Sequence, residues 1–103
     1  MIGFLRNIFG PAADFKMLVK EKGAVIIDVR TAEEFNSGHI KGALNIPLQI
    51  IDVQIEKIRK YNKPIITCCR SGARSGSAVS QLKGKGIEAY NGGPWNSLES
   101  AIR

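Results

Sequence analysis

Short apolar runs alternate with amphipathic stretches along most of this chain. Four short runs predict strands: residues 24–29, 42–46, 65–68 and 87–90. The runs 24–29 and 65–68 are rich in β-branched residues and predict buried strands. Other stretches carry apolar residues at helical spacing: residues 11–22, 51–61 and 75–83, and a terminal stretch from 95 or 96 to about 102. Strands alternating with helices predict an α/β fold, with a mainly parallel sheet flanked by helices on both faces.

Local signals place several element boundaries. Thr31 is followed three residues later by Glu34, the spacing of a capping box, so a short helix should begin there and end before Gly38. Pro47 should end the second strand. We see no internal repeat, low-complexity tract or linker, and therefore predict one domain over residues 1–103, with residues 1–10 as a loosely ordered N-terminal segment.

Composition narrows the function class. The 103 residues are 44% hydrophobic and 23% charged, typical of a soluble globular domain, and we take a monomer as the default at this size. The net charge of +6 would attract small anionic substrates. The basic residues are scattered and aromatic residues make up only 7%, so we do not predict nucleic-acid binding. No apolar run approaches the roughly 20 residues of a membrane span, so none is predicted.

The chain has two cysteines, Cys68 and Cys69, which are adjacent. Adjacent cysteines cannot form a disulfide framework, and a bond between them would be strained. A reducing, cytoplasmic compartment is therefore expected. We predict that Cys68 packs within its strand, and a resolving or redox role for it is the alternative.

Cys69 is the strongest candidate for chemistry. It ends an apolar strand and opens a tight loop, before a helix predicted to start near Ser75. Backbone N–H groups of such a loop converge on the sulfur, and a helix N-terminus adds about half a positive charge. These surroundings lower a thiol pKa, so we predict a nucleophilic thiolate. The candidate site comprises Cys69 and the loop that follows it: Arg70, Ser71, Gly72, Ala73, Arg74 and Ser75.

Four charged residues support this site. We expect Arg70 to point to solvent at the mouth of the pocket and to contact an anionic donor. Arg74 opposes the dipole of the helix it begins, so a bound anion or the thiolate should compensate it, in a loop-shaping or anion-binding role. Asp28 and Arg30 end the first strand and are expected to form a structural ion pair, with Arg30 a second candidate for the anionic pocket.

Two motifs make the sequence resemble a rhodanese-type sulfurtransferase domain. The first runs from Ile27-Asp28-Val29-Arg30 through Glu33-Glu34-Phe35 and Gly38-His39-Ile40-Lys41-Gly42-Ala43 to Asn45-Ile46-Pro47. The second is the loop from Cys69 to Ser75, and Gly92-Gly93 followed by Trp95 is a weaker third match. The resemblance covers about Ala24 to Trp95. It implies a five-stranded parallel sheet flanked by helices.

The resemblance also implies a reaction. The Cys69 thiolate would attack the outer sulfur of an anionic donor, thiosulfate or a persulfide. An acceptor thiol or cyanide would then remove the sulfur from the Cys69 persulfide, with ping-pong kinetics. No metal or organic cofactor is expected. His39 matches a structural segment of the family, so we assign it to packing rather than to the base of a Cys–His pair. Glu33 and Glu34 are assigned as helix-start charges, and Trp95 as a core or pocket-wall residue.

Two other functions remain as alternatives. A cysteine phosphatase or arsenate reductase places five residues between its cysteine and arginine, whereas four separate Cys69 from Arg74. The shorter loop favours a single sulfur over a tetrahedral oxyanion. The second alternative is a non-catalytic rhodanese-like binding or sulfur-carrier module. The presence of Cys69 argues against a purely binding role.

Overall fold

A computed structural model describes residues 13–103. The predictions for residues 1–10 and for the start of the first helix lie outside these residues. Residues 13–103 form five α-helices: α1 (Phe15–Lys22), α2 (Ala32–Ser37), α3 (Ile55–Tyr61), α4 (Ala73–Gly84) and α5 (Trp95–Ala101). Four strands alternate with them: β1 (Val25–Asp28), β2 (Leu44–Asn45), β3 (Ile65–Cys69) and β4 (Ala89–Pro94). None of the described helices is both long and apolar enough to cross a membrane.

The strands form one parallel sheet in the order β2-β1-β3-β4. This confirms the predicted α/β architecture with a parallel sheet. The prediction of five strands is wrong for residues 13–103, which contribute four. The residue pattern predicted only four strands in this region, and the fifth strand was implied by the resemblance alone.

The sheet carries an apolar core on each face. Side chains alternate along a strand, so consecutive residues of β3 enter opposite cores. One core packs the sheet against α3 and α4 and contains Ile27, Ile58, Ile65, Cys69 and Leu82 among others. The other packs it against α1 and α5 and contains Leu18, Ile26, Ile66, Cys68 and Leu98. The prediction that helices cover both faces is confirmed.

Strand β4 is longer than predicted because it continues through two glycines. The register shifts between Thr67 and Cys69, where β4 carries one more residue than β3. Gly92 lies so close to its neighbours that a Cβ would stand 2.8 Å from the Thr67 carbonyl oxygen and 2.8 Å from Leu98 Cδ2. The strand was predicted to end at residue 90, whereas the two glycines and the proline continue it and form a β-bulge beside the end of β3.

Two helix boundaries also differ from the predictions. The amphipathic stretch from residue 51 follows a 3₁₀ turn at Leu48–Ile50 and opens with a second one at Asp52–Gln54, so that only Ile55–Tyr61 of it is α-helical. Helix α4 begins at Ala73 rather than near Ser75, after Gly72 with φ of 100°. The backbone N–H of Ser75 therefore belongs to the first turn of α4, where N–H groups have no partner within the helix.

Candidate active site

The Cys69 sulfur lies at the carboxyl end of β3, enclosed by the loop that follows. The Gly72 N–H donates to Cys69 Sγ at 3.0 Å, and the Ser75 N–H does so at 3.4 Å. The Ser75 hydroxyl lies 3.3 Å from the same sulfur. Gly72 adopts positive φ, a conformation that glycine reaches without strain, and this turns its N–H towards the sulfur. The loop therefore forms the predicted cradle of N–H donors.

The pKa of Cys69 reflects two opposing effects. Burial of the thiol acts to raise its pKa. Hydrogen bonds act in the opposite direction and prevail, so the pKa lies below the ordinary thiol value. These bonds come, in decreasing order, from the Ser75 hydroxyl and from the backbone N–H groups of Ser75, Gly72 and Ser71. Hydrogen bonds are therefore the main cause of the lowered pKa.

Cys68 lies on the other face of the sheet. It is fully buried in the core beneath α1 and α5, while Cys69 belongs to the core beneath α3 and α4. Burial raises the pKa of Cys68 to about 12, and the nearby Asp28 carboxylate adds to the shift. The Cys68 thiol is therefore a neutral packing group at ordinary pH. This placement agrees with its assignment as a packed strand residue.

Arg74 does not point its charge at the sulfur. Its guanidinium makes a two-pronged ion pair with Glu34, with Nη1 to Oε1 at 2.7 Å and Nη2 to Oε2 at 3.0 Å. The expectation that a bound anion or the thiolate compensates Arg74 is thus corrected, because the Glu34 carboxylate does so. Glu34 also caps α2 with Thr31, and the Arg74 pair together with this cap lowers the pKa of Glu34 to about 2.

The remaining loop residues lie at the surface. Arg70 and Ser71 are exposed, and no ion pair within residues 13–103 involves Arg70. The Ser71 hydroxyl oxygen accepts the Ala73 N–H at 3.3 Å. This bond stabilises the turn into α4. Of the two loop serines, Ser71 and Ser75, only Ser75 contacts the Cys69 sulfur through its hydroxyl.

Asp28 and Arg30 form a buried ion pair beside the site. Arg30 Nη2 lies 2.7 Å from Asp28 Oδ2 and donates to the Gly38 carbonyl at 2.6 Å. The guanidinium also lies over the Trp95 ring, 4.9 Å from its centroid. The hydrogen bonds that Arg30 donates to Asp28 raise the pKa of Arg30 despite its burial. Arg30 thus joins β1, the loop after α2 and the start of α5, which is the structural role expected of the pair.

His39 packs against the helix that precedes it. Its ring stacks on Phe35 at 3.7 Å between centroids, and Nδ1 lies 2.8 Å from the Phe35 carbonyl oxygen. The hydrogen bonds found for Cys69 do not include His39. The described site therefore lacks a Cys–His pair.

Asn91 belongs to the site, although the sequence analysis did not select it. Its Oδ1 accepts from the Ser75 hydroxyl at 2.7 Å and from the Gly93 N–H at 2.9 Å, and its Nδ2 donates to the Gly72 carbonyl at 3.0 Å. Its place beside the Gly92-Gly93 pair was the available signal. Asn91 pairs with Thr67 just before the β-bulge, in a part of β4 that lies beyond the predicted end of the strand.

The family follows from comparison with known proteins. The family model described as the rhodanese-like domain matches residues 11–95, most of the chain. This chain is a rhodanese-like domain. The match includes both the Asp28–Arg30 segment and the Cys69 loop, the two motifs on which the resemblance rested.

Individual relatives of this rhodanese-like domain agree. A rhodanese-like domain protein from Staphylococcus aureus, solved by crystallography, has a TM-score of 0.69, 34% identity, and 80% coverage of each chain. YqhL, an uncharacterized protein of Bacillus subtilis, is 44% identical over 69 residues. The thiosulfate sulfurtransferase GlpE of Pseudomonas savastanoi pv. phaseolicola is 37% identical over 69 residues. The family thus includes named sulfurtransferases.

The matched part covers only a portion of these curated relatives. The YqhL match spans 66% of this rhodanese-like domain and 54% of YqhL, and the GlpE match spans 67% and 64% respectively.

Within residues 13–103, no cluster of three or more His, Cys, Asp or Glu side chains is arranged to hold a metal ion.

Proposed function

We propose that this protein is a sulfurtransferase that carries sulfane sulfur on Cys69. The observation that supports this best is the set of donors around Cys69 Sγ: two backbone N–H groups at 3.0 and 3.4 Å and the Ser75 hydroxyl at 3.3 Å. Several short, directed donors stabilise an anionic sulfur more than a neutral thiol. The same donors can serve the negative outer sulfur of a persulfide.

The proposed reaction has two half-reactions. The Cys69 thiolate attacks the outer sulfur of thiosulfate, a sulfur–sulfur bond forms to Cys69, and sulfite leaves with the electron pair of the broken bond. Cyanide or an acceptor thiolate then attacks the outer sulfur, and the Cys69 thiolate leaves with the electron pair of the sulfur–sulfur bond. The product is thiocyanate or a new persulfide on the acceptor. Charge balances in both steps, so neither needs an oxidant or reductant.

The charge around the loop suits an anionic donor. Arg70 is exposed and adjacent to the nucleophile, so its guanidinium is available to a sulfonate oxygen at the mouth of the loop. The Cys69 side chain is fully buried, so a small donor would reach its sulfur more easily than a bulky one. Arg70 and Ser71 are the exposed residues of the loop next to Cys69. A thiosulfate-like donor or a low-molecular-weight persulfide fits these demands. A monomeric state and a cytoplasmic location stay predictions from the sequence.

The phosphatase-like alternative would need the guanidinium of Arg74 to be free. In such an enzyme a guanidinium fork would bind two oxygens of the tetrahedral anion. Both prongs of Arg74 are already bound to Glu34. A binding module with no chemistry would in turn have little use for a thiol whose pKa is lowered by directed hydrogen bonds.

Intact mass measurement tests the proposal directly. The protein is incubated with thiosulfate, desalted and weighed, and then treated with cyanide. We expect a gain of one sulfur atom, its loss on cyanide treatment, and thiocyanate equal to the sulfur lost. Cys69→Ser is the negative control and Cys68→Ala the matched positive control. Absence of the added mass in the wild type, over a range of donors, would refute sulfur carriage by Cys69.

A further inference from the structure

The side-chain amide of Asn91 has a fixed orientation. It lies between two backbone groups of opposite kind, the Gly93 N–H at 2.9 Å and the Gly72 carbonyl at 3.0 Å. An N–H can only donate and a carbonyl can only accept. The oxygen of the amide must therefore face Gly93 and its nitrogen must face Gly72.

This orientation fixes the Ser75 hydroxyl in turn. Ser75 Oγ lies 2.7 Å from Asn91 Oδ1, which can only accept, so the hydroxyl proton points at Asn91. The same Oγ lies 3.3 Å from Cys69 Sγ. A hydroxyl has a single proton, and here it is already engaged. In this arrangement the Cys69 thiol donates its own proton to Ser75 Oγ, and the hydrogen bonds run from Cys69 through Ser75 to Asn91.

Ionisation of Cys69 reverses one of these bonds. The thiolate has no proton to donate, and a hydroxyl still turned to Asn91 would present its lone pairs to the anionic sulfur. The hydroxyl proton must therefore rotate from Asn91 Oδ1 to Cys69 Sγ, while the thiol proton leaves to solvent. Asn91 Oδ1 then keeps the Gly93 N–H as its donor, so it does not lose its last partner.

We propose that Asn91 is a positioning residue for Cys69, because it competes with the sulfur for the single Ser75 hydroxyl proton and so helps to set the pH at which the thiol ionises. The inference rests on the proposed function in one respect only: it matters for activity if the thiolate is the nucleophile. Asn91 itself touches neither the sulfur nor the donor and acts through Ser75.

The packing around Asn91 supports this role. Gly76 lies within α4, where glycine is unfavourable, and a Cβ there would stand 3.2 Å from Asn91 Nδ2. The β-bulge at Gly92-Gly93 supplies the second exception to regular structure, since Gly93 adopts φ of 76° and turns its N–H to Asn91 Oδ1. The glycine within α4 and the β-bulge in β4 therefore both lie against the side-chain amide of Asn91.

Other charged or titratable groups lie around Cys69, and four of them are paired with one another. They come from the loop, β3, α4, α2 and β1: Arg70, Cys68, Arg74, Glu34, Asp28 and Arg30. Asp28 is paired with Arg30, and Glu34 with Arg74. The pKa of Glu34 is about 2 and that of Cys68 about 12, so neither changes charge at neutral pH. The Ser75 hydroxyl is thus the group near the sulfur that responds to its ionisation.

A double-mutant cycle tests the proposal. The rate of Cys69 alkylation by iodoacetamide is followed against pH in the wild type, Asn91→Asp, Ser75→Ala and the double variant. A carboxylate at position 91 holds the Ser75 proton more strongly, so Asn91→Asp should raise the midpoint by about one unit. In the Ser75→Ala background the rise should be less than half as large. Equal rises in both backgrounds would overturn the proposal, because a direct charge effect needs no Ser75.

A second measurement does not depend on the Asn91 variant. As the Ser75 proton leaves Asn91 Oδ1, the Gly93 N–H bond should shorten, so its amide proton resonance should move downfield with the Cys69 titration. Ser75→Ala should remove that movement. A Gly93 resonance that ignores Cys69 in the wild type, or follows it unchanged in Ser75→Ala, would contradict the proposal. Neither assay uses sulfur transfer, so a failed sulfur-loading experiment would refute the proposed function and leave this inference standing.

Discussion

Cys68 and Cys69 are consecutive in sequence, yet their thiols enter opposite cores of the sheet. Cys68 packs beneath α1 and α5, and Cys69 faces the N–H groups at the start of α4. The pKa values diverge accordingly, to about 12 for Cys68 and below the ordinary thiol value for Cys69. One position along β3 therefore separates a packing group from a candidate nucleophile.

The first prediction concerns these two thiols. Cys69→Ser should reduce thiosulfate:cyanide sulfur transfer to the uncatalysed background, because the sulfur is both nucleophile and carrier. Cys68→Ala should keep most of the activity and lose about 1 kcal/mol of stability through the small cavity it leaves. Steady-state thiocyanate formation and urea unfolding measure the two effects. An active Cys69→Ser variant, or an inactive but folded Cys68→Ala variant, would reverse the assignment.

The second prediction is the pH dependence of Cys69 reactivity. The folded-state pKa is lowered, so at a given pH the thiolate fraction should exceed that of a free thiol. In a Cys68→Ala background, the iodoacetamide alkylation rate should rise to a plateau with a midpoint below about 8.5, the free-thiol value. The same protein in denaturant is the control, and its midpoint should return to that value. Folded and denatured midpoints that coincide would show that the loop does not stabilise the thiolate.

The third prediction concerns the ion pair between Glu34 and Arg74. Glu34→Gln keeps the side-chain acceptor that caps α2 but removes the charge that binds Arg74. The folded-state pKa of Glu34 is lowered from 4.5 to about 2, so its contribution to stability is complete above pH 4.5. That contribution should be lost as the pH falls through about 2. The stability difference between wild type and variant should therefore be largest near neutral pH and vanish in acid.

Glu33→Gln is the matched control for this experiment. Glu33 lies beside Glu34 in the first turn of α2, is exposed, and takes part in none of the ion pairs found within residues 13–103. Both substitutions remove one negative charge. Urea midpoints measured at several pH values should show little change for Glu33→Gln. Equal losses for the two variants would mean that net charge, and not the contact with Arg74, accounts for the effect.

The fourth prediction concerns the close packing at Gly92. Gly92→Ala should destabilise the fold by about 1–3 kcal/mol, since its Cβ would meet the Thr67 carbonyl at 2.8 Å. Gly84→Ala is the contrasting variant, because nothing lies within 4 Å of a Cβ there. Gly84 ends α4, and alanine should be neutral or stabilise it by up to about 1 kcal/mol. Urea unfolding would compare them, and a fully stable Gly92→Ala variant would show that β4 shifts easily.

Hydrophobic patterning was sufficient to predict the layers of this fold. The runs around Ile27 and Ile65 predicted buried parallel strands, and the spacing of Thr31 and Glu34 predicted a capping box that is present. The position of Cys69 at the end of a strand and before a glycine-containing loop predicted N–H donors to its sulfur. These features depend on residues close together in sequence, where local rules apply.

Features that depend on distant residues were not predicted. The partner of Arg74 is Glu34, which lies two strands away in the chain, and no local pattern specifies it. Asn91 accepts from the Ser75 hydroxyl in a part of β4 that lies beyond residue 90, where the strand was predicted to end. The fifth strand came from the resemblance and not from the residues. For Arg74 and Asn91, tertiary packing decided which residues are in contact.

The buried guanidinium of Arg30 has a consequence for the order of folding. Its partners are Asp28, close in sequence, the Gly38 carbonyl, and the Trp95 ring near the end of the chain. A chain that had joined β1, β2 and β3 but not yet docked α5 would leave one face of this cation uncovered. The Arg30 contact with Trp95 is therefore expected to form late in folding, when α5 docks on the sheet. During synthesis, it would form only after Trp95 has left the ribosome.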